Sequence, residues 1–337
     1  MICDIVPHPT WRKGEQNEHK TIVEKIIRKH DKKLLQLIEE RLKQLPSKKR
    51  KRGRPKVYSD SFILLIYFIK VLRNYSFRDT VFYLEEILGE KIPSISTLHY
   101  RFSKLEILHF EELFERVLEI LRVGEMAEIE LMVVDGTGFG YNDKRKLNWM
   151  RGKKIREVSS HVKVELVVGR IVKGKDVIFG VAMGRAYSDE RKLLEGMIGK
   201  VKARSKYMLG DALYGMSVKV LRKLFEKAER VIVPIKDTLH TRVRDPIRKK
   251  VKRMYEENKE ENRNRYIVEQ VIGKIKNAYG QWEGTKSLEM AKKSIWAKVI
   301  AYNWVQVMNF FVFLLRWMTI LHAGLLRYAS RYFRTHS

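Results

Sequence analysis

Apolar residues recur at helical spacing along the first part of the chain. The segment from about 21 to 45 is rich in Lys, Glu and Leu at this spacing, which predicts a helix that ends before Pro46. Residues 60–104 predict three short helices, of which the first is apolar on nearly all sides and the third opens with Ser94 as a favourable N-cap. A further helix is predicted at about 106–123. The chain is therefore expected to begin with an all-α part.

From residue 129 the apolar pattern becomes that of β-strands. Short apolar or alternating runs begin at about 129, 161 and 175, and two more strands are predicted at about 206 and 231, each after a helical pattern. A last helical pattern follows the final strand. This order predicts an α/β architecture in which a mixed sheet is packed against helices.

Three acidic residues stand at special places in this pattern. Asp135 and Asp211 each come at the end of a predicted strand, and Glu269 lies on the helix after the last strand. Sheets of this class gather ligands at their strand ends, and one or two carboxylates per ion suit Mg²⁺. Two such ions about 3.5 to 4 Å apart promote in-line phosphoryl displacement. The acids therefore predict a magnesium site.

Glu269 is the one acid in a basic stretch of its helix, between Arg265 and Lys276. On a helical wheel these three residues and Asn262 flank an apolar stripe, whose members are Val268, Val271, Ile272, Ile275 and Tyr279. Two interpretations are open. The charges form a surface ion-pair ladder, or Arg265 and Lys276 hold a polyanionic substrate over metal ions that Glu269 helps to coordinate.

The charge balance favours a polyanionic partner. The 337 residues include 69 Lys and Arg against 40 Asp and Glu, a net charge of +29, so nucleic acid is the first candidate and an anionic membrane a weaker one. The apolar run at 304–321 contains polar and charged residues, which predicts a buried helix rather than a membrane span. A single cysteine, Cys3, excludes an internal disulfide framework and favours the cytoplasm.

Two segments are candidates for DNA contact. Seven of the nine residues at 48–56 are Lys or Arg, and the core of this linker, which includes Arg52 and Arg54, resembles the AT-hook of minor-groove binders. A merely solvated linker is the alternative. The third predicted helix would offer polar and basic residues to a groove, as in a helix-turn-helix, or be purely structural. Those residues are Thr97, His99, Tyr100, Arg101 and Lys104.

The arrangement of Asp135 and Asp211 after strands and Glu269 on a helix resembles the DDE transposases of prokaryotic insertion sequences, whose catalytic domain has the ribonuclease-H fold. The resemblance runs from about 129 to 315, and the N-terminal part resembles the DNA-binding region of such enzymes.

The most specific element of the resemblance is the family signature of Tyr, two residues, Arg, three residues, Glu, six residues and Lys. Arg265, Glu269 and Lys276 match its last three positions, whereas Asn262 stands at the Tyr position. Tyr214, three residues after Asp211, matches a further motif of the family.

The resemblance implies an enzyme that binds the ends of its insertion sequence, cleaves phosphodiester bonds and joins the 3′-hydroxyl ends to target DNA. Asp135, Asp211 and Glu269 would be the catalytic residues and would hold two Mg²⁺ ions, for which Mn²⁺ can substitute. Double-stranded DNA would be bound by a homodimer, in the nucleoid of a prokaryotic cytoplasm. The expected DNA contacts are Arg265, Lys276, Arg52, Arg54, Arg101 and Tyr214.

Two other functions are compatible with the residues: a ribonuclease-H-like nuclease without strand transfer, and a DNA-binding protein with an inactive catalytic domain. The predicted organisation has five parts: a helical segment at 1–47, the basic linker at 48–58, a helical DNA-binding region at 59–125, the catalytic domain at 126–320 and a basic tail at 321–337.

Overall fold

The fold is given by a computed structural model, which describes residues 57–88, 92–122, 129–143, 146–151, 154–172, 175–237, 243–307 and 309. Several predictions concern residues outside these ranges. They are the helix at 21–45, the linker with Arg52 and Arg54, most of the apolar run at 304–321 and the tail at 321–337.

Helices precede the sheet, as the apolar spacing predicts. They are α1 (Asp60–Leu72), α2 (Phe77–Leu88), α3 (Ile95–Lys104) and α4 (Ile107–Arg122). The apolar α1 is almost completely buried and contacts both α2 and α3. Ser94 caps α3 as expected, because its hydroxyl oxygen accepts a hydrogen bond from the Thr97 amide at 3.3 Å.

The central sheet contains five strands in the order β5-β4-β1-β6-β7. Their bounds are β1 (Ile129–Tyr141), β4 (His161–Val172), β5 (Lys175–Arg185), β6 (Ser205–Leu209) and β7 (Ala228–Ile232). β4 runs antiparallel to β1 and β5, whereas β6 runs parallel to β1 and β7. A short strand, β8 (Trp282–Glu283), pairs with the end of β1.

Helices flank this sheet. α5 (Glu190–Ile198) contacts β4 and β5, α6 (Val218–Phe225) and α7 (Pro246–Glu257) contact β7, and α8 (Tyr266–Tyr279) contacts β1 and β4. The mixed sheet, its flanking helices and the preceding helices confirm the predicted α/β class and agree with a ribonuclease-H-like fold. No helix in the described ranges is long and apolar enough to cross a membrane.

Two details differ from the sequence-based predictions. β1 continues past Asp135 to Tyr141, because residues 136–140 stay paired with β4. An antiparallel hairpin, β2 (Lys146–Arg151) with β3 (Lys154–Ser159), is not among the predicted elements.

The basic run at 241–254, which lies between β7 and α8, forms most of α7 in its described part. Asp245 caps this helix by accepting hydrogen bonds from the amides of Ile247 and Arg248, and Pro246 occupies its first turn.

The last described helix, α9 (288–307), joins the N-terminal helices to the sheet. Trp296 contacts the ring of Phe114 on α4, and the Tyr302 hydroxyl donates a hydrogen bond to the carbonyl of Asp176 on β5. Lys298 on α9 forms a buried ion pair with Glu283, with Nζ 2.5 Å from Oε1. The same ammonium donates to the carbonyl of Gly280, which fixes the end of α8.

A second buried carboxyl group lies in β4. Glu165 is fully buried and accepts a hydrogen bond at 2.7 Å from the hydroxyl of Tyr214, which is also buried. Burial raises the pKa of Glu165 to about 8, with smaller contributions from the charges of Glu190 and Asp135.

We predict that Glu283→Gln destabilises the protein by about 3 to 5 kcal/mol, because it leaves the buried Lys298 ammonium without its counter-ion. Glu289→Gln is the matched control, since Glu289 pairs with Lys292 on the exposed side of α9 and its loss should cost less than about 1 kcal/mol. Denaturant unfolding measures both. Equal unfolding midpoints for the two variants would contradict the role given to the buried pair.

We predict that the pH dependence of stability contains a contribution from Glu165. The pKa of Glu165 is higher in the folded protein than its ordinary value of 4.5. Its contribution to the free energy of unfolding is therefore complete below pH 4.5 and is lost as the pH rises towards 8. Glu165→Gln cannot ionise. The variant should therefore gain stability relative to the natural protein, on the order of a few kcal/mol, between these pH values. Unfolding midpoints across pH 4 to 9 test this, and a constant difference would refute it.

Candidate active site

The parallel pairing of β1 and β6 brings Asp135 and Asp211 to the same level. Val133 on β1 lies opposite Leu209 on β6, and each aspartate follows two residues later. Asp211 comes two residues after the end of β6, close to the predicted strand end, whereas Asp135 lies in the middle of the longer β1. One carboxylate therefore stands within β1, and the other just beyond the end of the neighbouring strand.

The guanidinium group of Arg265 lies between the two carboxylates. Nη2 is 4.0 Å from Oδ2 of Asp135, and Nη1 is 3.9 Å from Oδ1 of Asp211. Nε of the same side chain is buried and has no hydrogen-bond partner. Each aspartate also accepts a hydrogen bond from the next backbone amide, at 2.9 Å from Gly136 and 2.5 Å from Ala212.

Asp135 is the more buried of the two aspartates, with 23% of its side chain exposed against 53% for Asp211. Burial raises the pKa of Asp135, while the Gly136 amide and the Arg265 charge act in the opposite direction. The charges of Asp211 and Glu269 raise this pKa further. The charges of the other two carboxylates of the predicted set therefore both act on Asp135.

Glu269 lies in the first turn of α8 and is exposed. The apolar stripe beside it is confirmed, since Val268, Val271 and Ile275 are fully buried. The four polar residues that flank this stripe do not lie on one continuous α-helix. Asn262 and Arg265 belong to a 3₁₀ turn, Glu261–Arg265, that precedes α8. The side-chain oxygen of Asn262 is buried without a hydrogen-bond partner.

A divalent ion such as Mg²⁺ requires oxygen ligands, and in this site the acidic side chains would supply them. No group of three or more His, Cys, Asp or Glu side chains in the described residues is arranged to hold a metal ion together. Asp135 and Asp211 nevertheless direct oxygens towards one shared cationic group, and two carboxylates suffice for Mg²⁺. The residues therefore fit an ion held by these two carboxylates.

Lys276 lies near the other end of α8, with its ammonium group 5.4 Å from the ring centre of Phe139 on β1. Partial burial lowers its pKa. Seven residues separate Lys276 from Glu269, a distance of about 10 Å along a helix. The signature lysine thus lies about two helical turns from the signature glutamate.

Two of the predicted DNA contacts are occupied by partners within the protein. Arg101 points into the protein, where its guanidinium contacts Asp60 at 2.7 Å and donates to the carbonyl of Tyr58. Tyr214 is 1% exposed and is hydrogen-bonded to Glu165. Their chemistry suits phosphate, but partners from other elements hold both side chains.

The exposed face of α3 differs from the predicted set. It carries residues at helical spacing, namely Ser96, His99, Tyr100, Ser103 and Lys104. The ammonium of Lys104 lies 5.5 Å from the ring centre of Tyr100, so a cation and an exposed aromatic ring share this face.

Glu165 is the residue near the site that the sequence predictions missed. It lies opposite Gly136, the residue after Asp135, and its Oε1 is buried without a hydrogen-bond partner. An acidic residue within the apolar alternation of β4 was the available signal.

Comparisons with known proteins agree with this geometry. The sequence profile of a family described as "Transposase DDE domain" matches residues 127–304. An uncharacterized protein of Aquifex aeolicus (strain VF5) is 40% identical over 284 residues, which cover 83% of this chain and 87% of the relative.

The profile match spans the sheet with Asp135 and Asp211, the helix with Glu269 and most of α9, and it covers more than half of the chain. On these findings the chain belongs to the family of DDE transposases.

Proposed function

We propose that the protein binds the ends of its insertion sequence, cleaves phosphodiester bonds there and joins the freed 3′-hydroxyl groups to target DNA. The observation that carries the proposal is a pair of carboxylates at one level of two adjacent parallel strands, one within β1 and one just beyond the end of β6, which share one cationic group. Family membership supports the same reaction class.

In this proposal Asp135, Asp211 and Glu269 hold two Mg²⁺ ions, with Mn²⁺ as a substitute. Bound ions of this kind activate water and neutralise charge on the leaving oxygen in phosphoryl transfer. Glu269 lies at the N-terminus of α8, where the helix dipole favours a negative charge. We assign it as the third ligand because it stands at the Glu position of the family signature, between Arg265 and Lys276.

Arg265 and Lys276 would bind the DNA backbone. The planar guanidinium of Arg265 suits bidentate contact with a phosphate next to the carboxylates, and Lys276 acts as a point charge farther along the DNA. The exposed face of α3 would read or track DNA outside the site, together with the basic linker that contains Arg52 and Arg54. Because an element has two ends, we also propose a homodimer in the DNA complex.

A nuclease without strand transfer and an inactive DNA-binding protein are the alternatives. An assay with a pre-cut element end and supercoiled target DNA separates them. Joined products support the transposase, Mg²⁺-dependent cleavage without joining supports the nuclease, and binding with neither reaction supports the inactive protein.

We predict that Asp135→Asn, Asp211→Asn and Glu269→Gln each reduce cleavage by at least about 100-fold, since loss of an outer-shell partner alone costs a metal site 10–100-fold. Binding of element ends should stay within a few-fold of the natural protein, because these carboxylates act on the metal ions. End affinity and single-turnover cleavage are the two measurements.

Glu261→Gln is the matched control for Glu269→Gln. Glu261 lies in the preceding 3₁₀ turn and accepts a hydrogen bond from Asn264. If Glu261→Gln abolishes cleavage and Glu269→Gln does not, Glu261 is the third ligand. Glu283 is not a candidate, because it is buried against Lys298.

Lys276→Ala should behave differently from these acidic variants. It removes a point charge that acts on phosphate, so we expect end affinity to fall by roughly 5-fold, about 1 kcal/mol. Cleavage should slow but persist. Unchanged affinity would remove Lys276 from the DNA-binding residues.

We predict that Tyr100→Ala and Lys104→Ala on α3 weaken the binding of element ends. Loss of one phosphate contact at Lys104 should lower the slope of log K against log salt by about 0.9. Lys206→Ala is the matched control, because Lys206 is an exposed lysine at the start of β6, away from Asp211. Equal effects of the Lys104 and Lys206 changes would mean that α3 contributes only to the net charge.

A further inference from the structure

The turn that carries Asp211 is anchored by a buried hydrogen bond. Asp211 itself is exposed and lies outside β6. Three residues later, Tyr214 is buried, and its hydroxyl donates to Oε2 of Glu165 on β4 at 2.7 Å. The Tyr214 amide donates to the Asp211 carbonyl at 3.1 Å, so the anchor is one short turn from the carboxylate.

The acceptor of this hydrogen bond, Glu165, lies close to Asp135 on the strand that is paired with β1. Glu165 is paired with Gly136, the next residue of β1, and the Gly136 amide donates to the Asp135 carboxylate. A Cβ atom at position 136 would lie 2.6 Å from Oε1 of Glu165, so the missing side chain of Gly136 makes room for the carboxyl group. One hydrogen bond thus connects the backbone around Asp135 with the turn of Asp211.

The Asp211 turn is also held from a second side. Nε of Arg248 on α7 donates to the carbonyl of Gly215 at 3.1 Å, and Gly215 packs closely against the carbonyl of Pro234. These contacts position the outer side of the turn. The hydrogen bond to Glu165, by contrast, connects the turn to β4, the antiparallel neighbour of β1.

We propose that Tyr214 is a positioning residue, which through Glu165 sets the separation of the Asp135 and Asp211 carboxylates. The inference rests on the proposed function, because the separation matters for the ion that both carboxylates would hold. Outer-shell partners that orient metal ligands change metal affinity by roughly 10–100-fold when they are lost.

The test is Mn²⁺ binding to the full-length protein without DNA, measured by isothermal titration calorimetry. Tyr214→Phe keeps the ring and removes the hydroxyl, and we expect it to weaken Mn²⁺ binding by about 10-fold.

Tyr302→Phe is the matched control. Tyr302 is another buried tyrosine whose hydroxyl donates to a carbonyl, that of Asp176, far along the chain from both aspartates. The Tyr302→Phe variant also loses one buried hydrogen bond donated by a tyrosine hydroxyl. We therefore expect it to lose comparable stability and to keep the Mn²⁺ affinity of the natural protein. If Tyr214→Phe and Tyr302→Phe bind Mn²⁺ equally well, the positioning role of Tyr214 is refuted.

Asp135→Asn separates this proposal from the proposed function. If the natural protein binds Mn²⁺ no better than Asp135→Asn does, the metal site fails and the positioning role fails with it. If Asp135→Asn loses binding and Tyr214→Phe does not, only the positioning role fails. Should Tyr214→Phe not fold, Glu165→Met removes the same hydrogen bond from its other end, and unchanged Mn²⁺ binding there would equally overturn the proposal.

Discussion

The candidate site depends on a constraint set by strand pairing: two carboxylates, one within β1 and one just beyond the end of the adjacent parallel strand β6, stand at one level and repel each other. Asp135 and Asp211 are brought to this position by the register of β1 and β6. Such a pair is stable only if positive charge lies near it and the backbone on each side is held firmly. Arg265 supplies the charge, and the hydrogen bonds around Gly136 and Tyr214 hold the backbone.

The same constraint gives α8 its double role. Its buried side packs on β1 and β4 through Val268, Val271 and Ile275, which fixes the helix against the strand that carries Asp135. Its first turn then brings Glu269 within electrostatic range of Asp135, after a 3₁₀ turn that presents Arg265. The far end of α8 is tied to Lys298 through Gly280, so both ends of the helix are fixed.

Local patterns were sufficient to predict much of this arrangement. The end of β6 before Asp211, the cap of α3 at Ser94 and the apolar stripe of α8 depend on residues close together in sequence. The extent of β1 beyond Asp135 was not predictable in the same way, because the glycines in this segment have low strand propensity. Its strand conformation depends instead on the pairing with β4.

The environments of Arg101 and Tyr214 were also not predictable from local pattern. Both have side chains that suit DNA contact, yet their partners lie 41 and 49 residues away in sequence. Residue type indicates what a side chain is able to bind, whereas burial is decided by the packing of distant elements. The acidic set, by contrast, was visible because Asp135 and Asp211 follow short apolar runs and Glu269 stands alone among bases beside an apolar stripe.

The glycines of β1 have a consequence for how such sequences change. The side chain of Glu165 occupies the space beside Gly136, and the indole of Trp282 lies on Gly140 so closely that a methyl group there has no room. That indole is half exposed and donates to Asn142. A larger residue at position 140 therefore requires a smaller one at 282, and the same holds for 136 and 165. In related sequences, the residues at 136 and 165 should therefore vary together, and so should those at 140 and 282. Each pair joins a position of β1 to the position on a neighbouring strand whose side chain covers it.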